Sequence, residues 1–366
     1  MNNTDIHEQL ANHLSHLAMG FPNRIGLLDI LKACYSEEEA EIALAIPSKE
    51  IPFKGTTAKD ISKSVNIPLE LLEKKLEDLS IRGLLFSYKD KDTGIMNYAL
   101  QQAGFGIPQV FFWKCEDTPF ARDMVKNVLR YYTTDVTKET YSTNPIPFRF
   151  LPVDETIDID TQTILPYQVM EEIIKEARVI GLGNCTCRFE MSLINHGCNH
   201  PLEVCMKFNE LAEFLIDRGF AREITKEEAL KVNKQASEAG LVHFSDNAID
   251  NVQQNCNCCG CSCWNLGLIS RRKIPRDELI ATYFIRETNL DECTGCGSCV
   301  DICPPRAVEI IDDKAVVDND WCIGCGVCLP KCPADAIKIV LRKDLEGKIP
   351  EESFKALQEK ILKTRP

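Results

Sequence analysis

Eight of the nineteen cysteines in this 366-residue chain repeat one spacing: Cys293, Cys296, Cys299, Cys303-Pro304, then Cys322, Cys325, Cys328, Cys332-Pro333. No other feature restricts the fold as strongly, because cysteines with two residues between them point at a common centre only from a tightly curled loop. Such a loop suits a four-iron cube, whose iron corners each take one thiolate. Three thiolates come from the loop and the fourth from elsewhere. The flanks repeat too, Cys-Thr-Gly-Cys-Gly-Ser-Cys against Cys-Ile-Gly-Cys-Gly-Val-Cys, followed by Ala-Val-Glu-Ile (307–310) and Ala-Ile-Lys-Ile (336–339). Gly295, Gly297, Gly324 and Gly326 lack a Cβ, so each loop can turn its N–H groups toward sulfur. Four-cysteine zinc sites also use C-x2-C units, but they need two pairs and no interlocked third and fourth cysteine.

The C-x2-C-x2-C-x3-C-P run resembles the ligand pattern of bacterial two-cluster ferredoxins. The resemblance implies that the fourth cysteine of each run ligates the other cluster. One [4Fe–4S] cluster then takes Cys293, Cys296, Cys299 and Cys332, and the other takes Cys322, Cys325, Cys328 and Cys303. It also implies a two-[4Fe–4S] ferredoxin domain over residues 286–345, carrying electrons.

Nineteen cysteines could instead mark a disulfide-rich secreted protein. The length, the clustering and the polar start from Met1 to His16, which lacks a basic-then-apolar leader pattern, argue against that. No apolar run approaches the roughly 18 residues of a membrane helix, so a cytoplasmic, reducing and anaerobic setting is expected, without membrane insertion. The net charge of −13, from 42 basic and 55 acidic residues, disfavours nucleic acid and anionic membranes. It suits docking on a basic face of a redox partner protein, an oxidoreductase, and leaves self-association open.

The pattern along the chain predicts an α+β protein of several domains. Residues 1–105 form a helical, winged-helix-like unit. Apolar residues recur at helical spacing from Pro22 to Ile46. A second helical unit starts at Thr57 as N-cap, breaks at Asn66, resumes at Pro68 and stops at Gly83. A hairpin follows, from Leu84-Leu-Phe-Ser-Tyr through a polar turn to Met96-Asn-Tyr-Ala-Leu. The Pro68–Ser80 helix, the reader in a DNA-binding version, carries Glu70, Glu73, Glu77 and Asp78 against Lys74 and Lys75, and phosphates repel such a face. Residues 106–285 form a mixed α/β, cysteine-rich module, with a helix that Thr118-Pro119 opens and that runs to Tyr132, and helices from Pro166 to Arg178 and from Thr225 to Ala239. An irregular stretch spans Asn144 to Leu165, and a short strand at Val179 runs into Cys185. Residues 346–366 form a tail helix.

Nine further cysteines occupy the middle module: Cys185, Cys187, Cys198, Cys205, Cys256, Cys258, Cys259, Cys261 and Cys263. Packing does not explain five thiols in eight residues, and unligated neighbours would oxidise. Two metal-bound groups of four fit the count with one left over. Cys258 and Cys259 are consecutive, so in extended backbone they face opposite sides. Either one is spare or they face different clusters, each drawing on both cysteine groups. One or two further iron–sulfur clusters are expected here, with zinc as the redox-silent alternative. Arg188 offers a cation beside a cluster or a surface salt bridge. His196, His200 and His243 are candidate ligands, because imidazole replaces thiolate in some clusters. Cys34 and Cys115 read as ordinary thiols. Gly181-Leu-Gly183 lacks the third glycine of a dinucleotide loop, and no nucleophile triad is present.

Beyond the ferredoxin runs, several segments carry a resemblance to anaerobe "4Fe-4S dicluster" ferredoxin-like proteins. They are Phe148-Arg-Phe-Leu-Pro-Val, Leu165-Pro-Tyr, Cys185-Thr-Cys187-Arg188, Cys198-Asn-His-Pro-Leu-Glu-Val-Cys205, Ile224-Thr-Lys-Glu-Glu-Ala-Leu, Ala239-Gly-Leu-Val-His243, Asn255-Cys-Asn-Cys-Cys-Gly-Cys-Ser-Cys263 and Tyr35-Ser-Glu-Glu-Glu-Ala-Glu-Ile-Ala-Leu. Ser262 departs from the pattern, where another cysteine is expected. The function this reading favours is low-potential electron transfer through several iron–sulfur clusters. Two alternatives stay open: a cluster enzyme with an open iron site in the middle module, and a redox-sensing DNA-binding regulator.

Overall fold

Side-chain caps set the starts of several N-terminal helices. In the computed structural model, which describes residues 5–153, 168–345 and 348–365, Asp5 caps α1 (Ile6–Ser15) by accepting from the His7 N–H at 2.9 Å. The stretch read as one helical pattern from Pro22 to Ile46 divides into α2 (Leu27–Cys34) and α3 (Glu37–Leu44). The break lies at Tyr35 and Ser36, where Ser36 turns extended and forms a reciprocal capping box with Glu39. Periodicity alone cannot see this break, since apolar spacing runs straight through it.

Next come β1 (Thr56–Thr57), α4 (Ala58–Ile61), α5 (Leu69–Ile81), β2 (Leu85–Lys89) and β3 (Met96–Leu100), with sheet order β1-β3-β2. Thr57 caps α4, accepting from the Asp60 N–H at 3.1 Å. Pro68 stands at the N-cap of α5 rather than inside it, and Gly83, at φ +75°, ends it. Thr118 caps α6 (Pro119–Tyr131), and Thr133 caps α7 (Thr134–Tyr141), a helix the sequence reading lacks.

The chain forms two compact units: residues 1–145 with 213–222 and 358–366, and residues 146–212 with 223–357. Leu72, Leu76 and Leu79 of α5 are fully buried in the first unit, as the leucine spacing of that helix requires.

The second unit is organised by a sheet that the sequence reading reduced to one short strand. Its strands are β4 (Phe148–Leu151), β5 (Ile180–Asn184), β6 (Glu203–Phe208), β7 (Arg222–Glu223), β8 (Val242–Asp246), β10 (Gln254–Cys258) and β11 (Ile280–Thr282), in the order β11-β4-β8-β10-β6-β5-β7. The short β9 (Ala248–Asp250) lies outside it. One face is apolar: Leu182, Met206 and Phe208 pack with Met170 and Ile174 of α8 (Met170–Glu176) and Ala229, Val232 and Ala236 of α11 (Lys226–Glu238). Because side chains alternate along a strand, burying Met206 on this face sends Cys205 and Lys207 to the other. The expected helix start at Pro166, and the irregular stretch beyond Val153, lie outside the described residues.

The remaining helices are α9 (Thr186–Ser192), α10 (Asn209–Asp217), α12 (Trp264–Ser270), α13 (Ser298–Ile302) and α14 (Phe354–Thr364). In the C-terminal segment β12 (Phe284–Thr288) pairs antiparallel with β15 (Ile337–Leu341), and β13 (Val308–Ile311) with β14 (Lys314–Val317). The two cysteine runs sit in the loops these hairpin-like pairs hold. Before α14, β16 (Glu351–Ser353) adds itself parallel to β9, so the tail is more than a helix. The fold is mixed helix and sheet, of the α+β kind.

Candidate functional site

The C-terminal loops need left-handed backbone to curl, and glycine supplies it at φ +65° (Gly295) and +81° (Gly297), then at +62° (Gly324) and +75° (Gly326). A Cβ at Gly324 would lie 2.2 Å from the Phe284 carbonyl oxygen, so nothing larger fits. Cys293, Cys296, Cys299 and Cys332 line one cavity together with Arg286, although Cys332 belongs to the second run. Reciprocally, Cys303 of the first run interacts with Cys322, Cys325 and Cys328. Backbone donors turn toward the sulfurs: Ala315 N–H to Cys293 at 3.3 Å, Ala307 N–H to Cys303 at 3.2 Å and Ala336 N–H to Cys332 at 3.4 Å. Buried Arg286 faces Cys299, Cys322 and Cys328, and its Nε and Nη1 find no protein acceptor. Cluster sulfides are acceptors, so these orphaned donors suit the group that the cysteine spacing implies.

The nine middle-module cysteines separate into six and three, not four and four. The six are Cys185, Cys187, Cys205, Cys256, Cys258 and Cys263. Cys187 is within hydrogen-bonding reach of Cys185 and Cys263, Cys263 also reaches Cys258, and Cys205 reaches Cys256. Strand geometry assembles this pocket. β6 and β10 run antiparallel with Lys207 opposite Gln254, which sets Cys205 and Cys256 on the same face. Cys185 and Cys263 each stand just before a helix, α9 and α12.

Two buried cations serve these thiols. Lys207, 5% exposed, donates to Gln254 Oε1 at 2.7 Å and to Cys256 Sγ at 3.5 Å. A hydrogen bond with Cys256, followed by Lys207, brings Cys205 down to about 6 against the opposing effect of burial. Arg188, 3% exposed, donates to the Pro201 carbonyl at 2.7 Å and the Asn257 carbonyl at 2.6 Å. Burial opposes its charge, and Cys185, Cys259 and Cys258 outweigh that and raise its pKa. Its surface salt-bridge reading therefore falls, because the side chain is not at the surface. Close by, buried Glu190 accepts from Trp264 Nε1 at 2.6 Å, and burial pushes its carboxyl up to about 7.

Cys198, Cys259 and Cys261 form the smaller group, and His200 joins them; the four donor atoms lie within 4.8 Å of one another. Consecutive Cys258 and Cys259 thus face different groups, and each group draws on both cysteine segments. Ser262 is not a gap in the pattern. Its hydroxyl donates to Cys198 Sγ at 3.5 Å and its N–H to Cys259 Sγ at 3.4 Å. The other two candidate histidines stand elsewhere. His243 is fully buried between Asn257 Oδ1 at 2.8 Å and Ser237 Oγ at 3.2 Å, and His196 is exposed. Cys34 is buried in the first unit, where burial pushes its thiol up to about 12, and Cys115 is half-buried.

The sequence reading missed Lys207, Gln254 and Glu190. A usable signal existed for the first two: Cys205-x-Lys207 and Gln254-x-Cys256-x-Cys258 alternate as strands do, so each set shares a face. Glu190 gave no such signal. The middle module also meets the C-terminal loops. A Cβ on Gly260, inside the cysteine-rich loop, would stand 3.2 Å from the carbonyl of Pro304, next to Cys303. The Val153 N–H donates to the Cys325 carbonyl at 3.0 Å, and Arg276 donates to the Cys322 carbonyl at 2.7 Å.

Among the described residues no helix is long and apolar enough to cross a membrane. Residues 298–343 match the family described as the LdpA Fe-S cluster-binding domain. A 29-residue stretch is 55% identical to a protein named "Probable ferredoxin" from Methanosarcina thermophila, covering 8% of this chain and 50% of that relative. No solved structure matches the chain. With the cysteine geometry, these likenesses make the chain an iron–sulfur protein.

Proposed function

We propose that this chain transfers single electrons at low potential through several iron–sulfur clusters, to or from a partner oxidoreductase of anaerobic metabolism. One observation carries the reading: each C-terminal run sends its fourth cysteine to the other run's three, Cys332 to the Cys293 loop and Cys303 to the Cys322 loop. Bound in these loops, a pair of [4Fe–4S] clusters would supply one-electron chemistry. The protein's part is to hold the thiolates, aim N–H groups at sulfur and keep Arg286 between the two loops. A further cluster would be held in the middle module by thiols of the six-cysteine pocket, with Arg188 and Lys207 offsetting their charge. The contact of Gly260 with Pro304 supports a route between the two regions.

The N-terminal β1-α4-α5-β2-β3 arrangement supports a winged-helix-like docking unit. The acidic residues of α5 support a protein partner over duplex DNA. Six thiols are a surplus rather than a shortage, which gives the open-iron enzyme reading no support.

The test is iron content and low-temperature electron paramagnetic resonance of anaerobic protein, with Cys303→Ser and Cys332→Ser variants. Two cubes account for about eight irons, and a filled middle pocket raises the total. Cys303→Ser is expected to disturb the cube of Cys322, Cys325 and Cys328 and to spare that of Cys293, Cys296 and Cys299. Damage confined to the variant's own run would refute the crossed ligation and, with it, the ferredoxin-type pair.

A further inference from the structure

We infer that Cys198, His200, Cys259 and Cys261 bind a single zinc-type divalent cation in a closed structural site, apart from any iron–sulfur cluster. The spacing of the donors is the first argument. A zinc ion with sulfur at about 2.3 Å and nitrogen at about 2.0–2.1 Å in a tetrahedron sets S···S near 3.8 Å and S···N near 3.5 Å. Cys198 Sγ stands 3.9 Å from Cys259 Sγ. His200 Nδ1 stands 3.4 Å from Cys198 Sγ and 3.8 Å from Cys261 Sγ.

The chemistry of the donors is the second argument. Three thiolates and one imidazole make one of the closed four-ligand sets of structural zinc, with no position left for substrate or water. Ser262 completes the surroundings, its N–H on Cys259 and its hydroxyl on Cys198, as outer hydrogen bonds orient metal ligands elsewhere. Arg188, among the charges acting on Cys259, offsets the surplus negative charge of three thiolates on a divalent ion.

The role follows from what the four residues join. Cys198 and His200 lie in the loop before β6, and Cys259 and Cys261 lie in the loop between β10 and α12. Cys258 at the end of β10 and Cys263 just before α12, both of the six-thiol pocket, bracket Cys259 and Cys261, and Gly260 between these two rests on Pro304. A metal here clamps the loop from outside and fixes both the pocket thiols and the contact toward Cys303. The inference does not depend on what the six-thiol pocket holds.

The experiment is metal analysis and zinc-edge X-ray absorption of the full chain, purified anaerobically with zinc supplied. One zinc per chain is expected, with three sulfurs at about 2.3 Å and one nitrogen at about 2.0–2.1 Å. His200→Ala and Cys261→Ser should lower bound zinc at least tenfold at limiting zinc and leave iron content unchanged. A misfolded variant would also lose zinc, so the wild-type absorption spectrum decides by itself. Zinc below a tenth of an equivalent, or a shell of four sulfurs, overturns the inference. So does loss of iron in place of zinc from a folded His200→Ala protein. Failure of the electron-transfer reading would show in the iron spectra of Cys303→Ser, which this measurement does not use.

Discussion

In the C-terminal loops the sulfurs of Cys293, Cys303 and Cys332 receive backbone N–H groups, whereas in the middle pocket the thiols lie beside two buried side-chain cations, Lys207 and Arg188. The cause is the kind of backbone that carries the cysteines. A glycine-bent loop leaves its N–H groups free to converge on a centre. In a sheet the N–H groups lie in the plane and are committed to neighbouring strands, so a sulfur on the sheet face cannot recruit them. Cys205, Cys256 and Cys258 project from strands, and negative charge there must be met by side chains. The C-terminal loops add backbone donors to their buried cation, Arg286, whereas the strand thiols of the middle pocket depend on the buried side chains alone.

The largest expected effect tests that dependence. Lys207→Met removes the cation facing Gln254 and Cys256 and leaves its partners buried and uncompensated. A loss of about 3–5 kcal/mol is expected, measured by urea unfolding of anaerobic protein, together with iron lost from the middle pocket. Lys314→Met is the matching change in the other region. That lysine is half-exposed and donates to the Cys293 carbonyl at 2.8 Å, so its loss should cost about 1 kcal/mol. Equal costs would erase the distinction between the two regions.

A smaller effect comes from Glu190, whose carboxyl burial raises to about 7. A raised carboxyl pKa means that the folded state holds the proton more tightly than the unfolded state does. Stability is thus full below pH 4 to 5 and falls as the pH rises toward 7 and above, by about 3 kcal/mol in all. Glu190→Gln keeps an acceptor for the Trp264 N–H and carries no charge. Its thermal midpoint should match wild type in acid and exceed it above neutrality; an unchanged gap across pH would show that Glu190 does not ionise there.

The smallest effect probes the loops. At Gly297 a Cβ would meet nothing within 4 Å, yet φ is +81°, so Gly297→Ala should cost only the left-handed strain, about 1 kcal/mol. Gly295 has the same backbone hand, but its Cβ would lie 2.4 Å from the Asp313 carbonyl oxygen. Gly295→Ala should therefore cost clearly more. Unfolding of the two variants side by side gives the comparison.

Local sequence set whatever lies within a few residues of chain. Thr57, Thr118 and Thr225 marked helix starts because a hydroxyl three residues before an unpaired N–H caps it wherever it occurs, and each accepts that bond here. The spacing of Cys293, Cys296 and Cys299, and of Cys322, Cys325 and Cys328, already required curled loops with glycine between the thiols. The Ser36 box between α2 and α3 and the Thr133 cap of α7 are as local as these, although apolar spacing runs through the first; the seven-stranded sheet did not follow from such patterns. Nor did the sorting of the middle cysteines. Cys185 and Cys198 look alike in sequence, yet one joins the six-thiol pocket and the other joins His200. Cys205 and Cys256 come together only because β6 pairs with β10, some fifty residues away, since register fixes which face each strand thiol occupies and no local spacing encodes register. What the sequence determined by itself was the presence of iron–sulfur ligand loops and their turns, since those geometries are short-range. Which thiols meet, which cations are buried with them, and that His200 rather than His243 or His196 stands among sulfurs, only the tertiary packing decided.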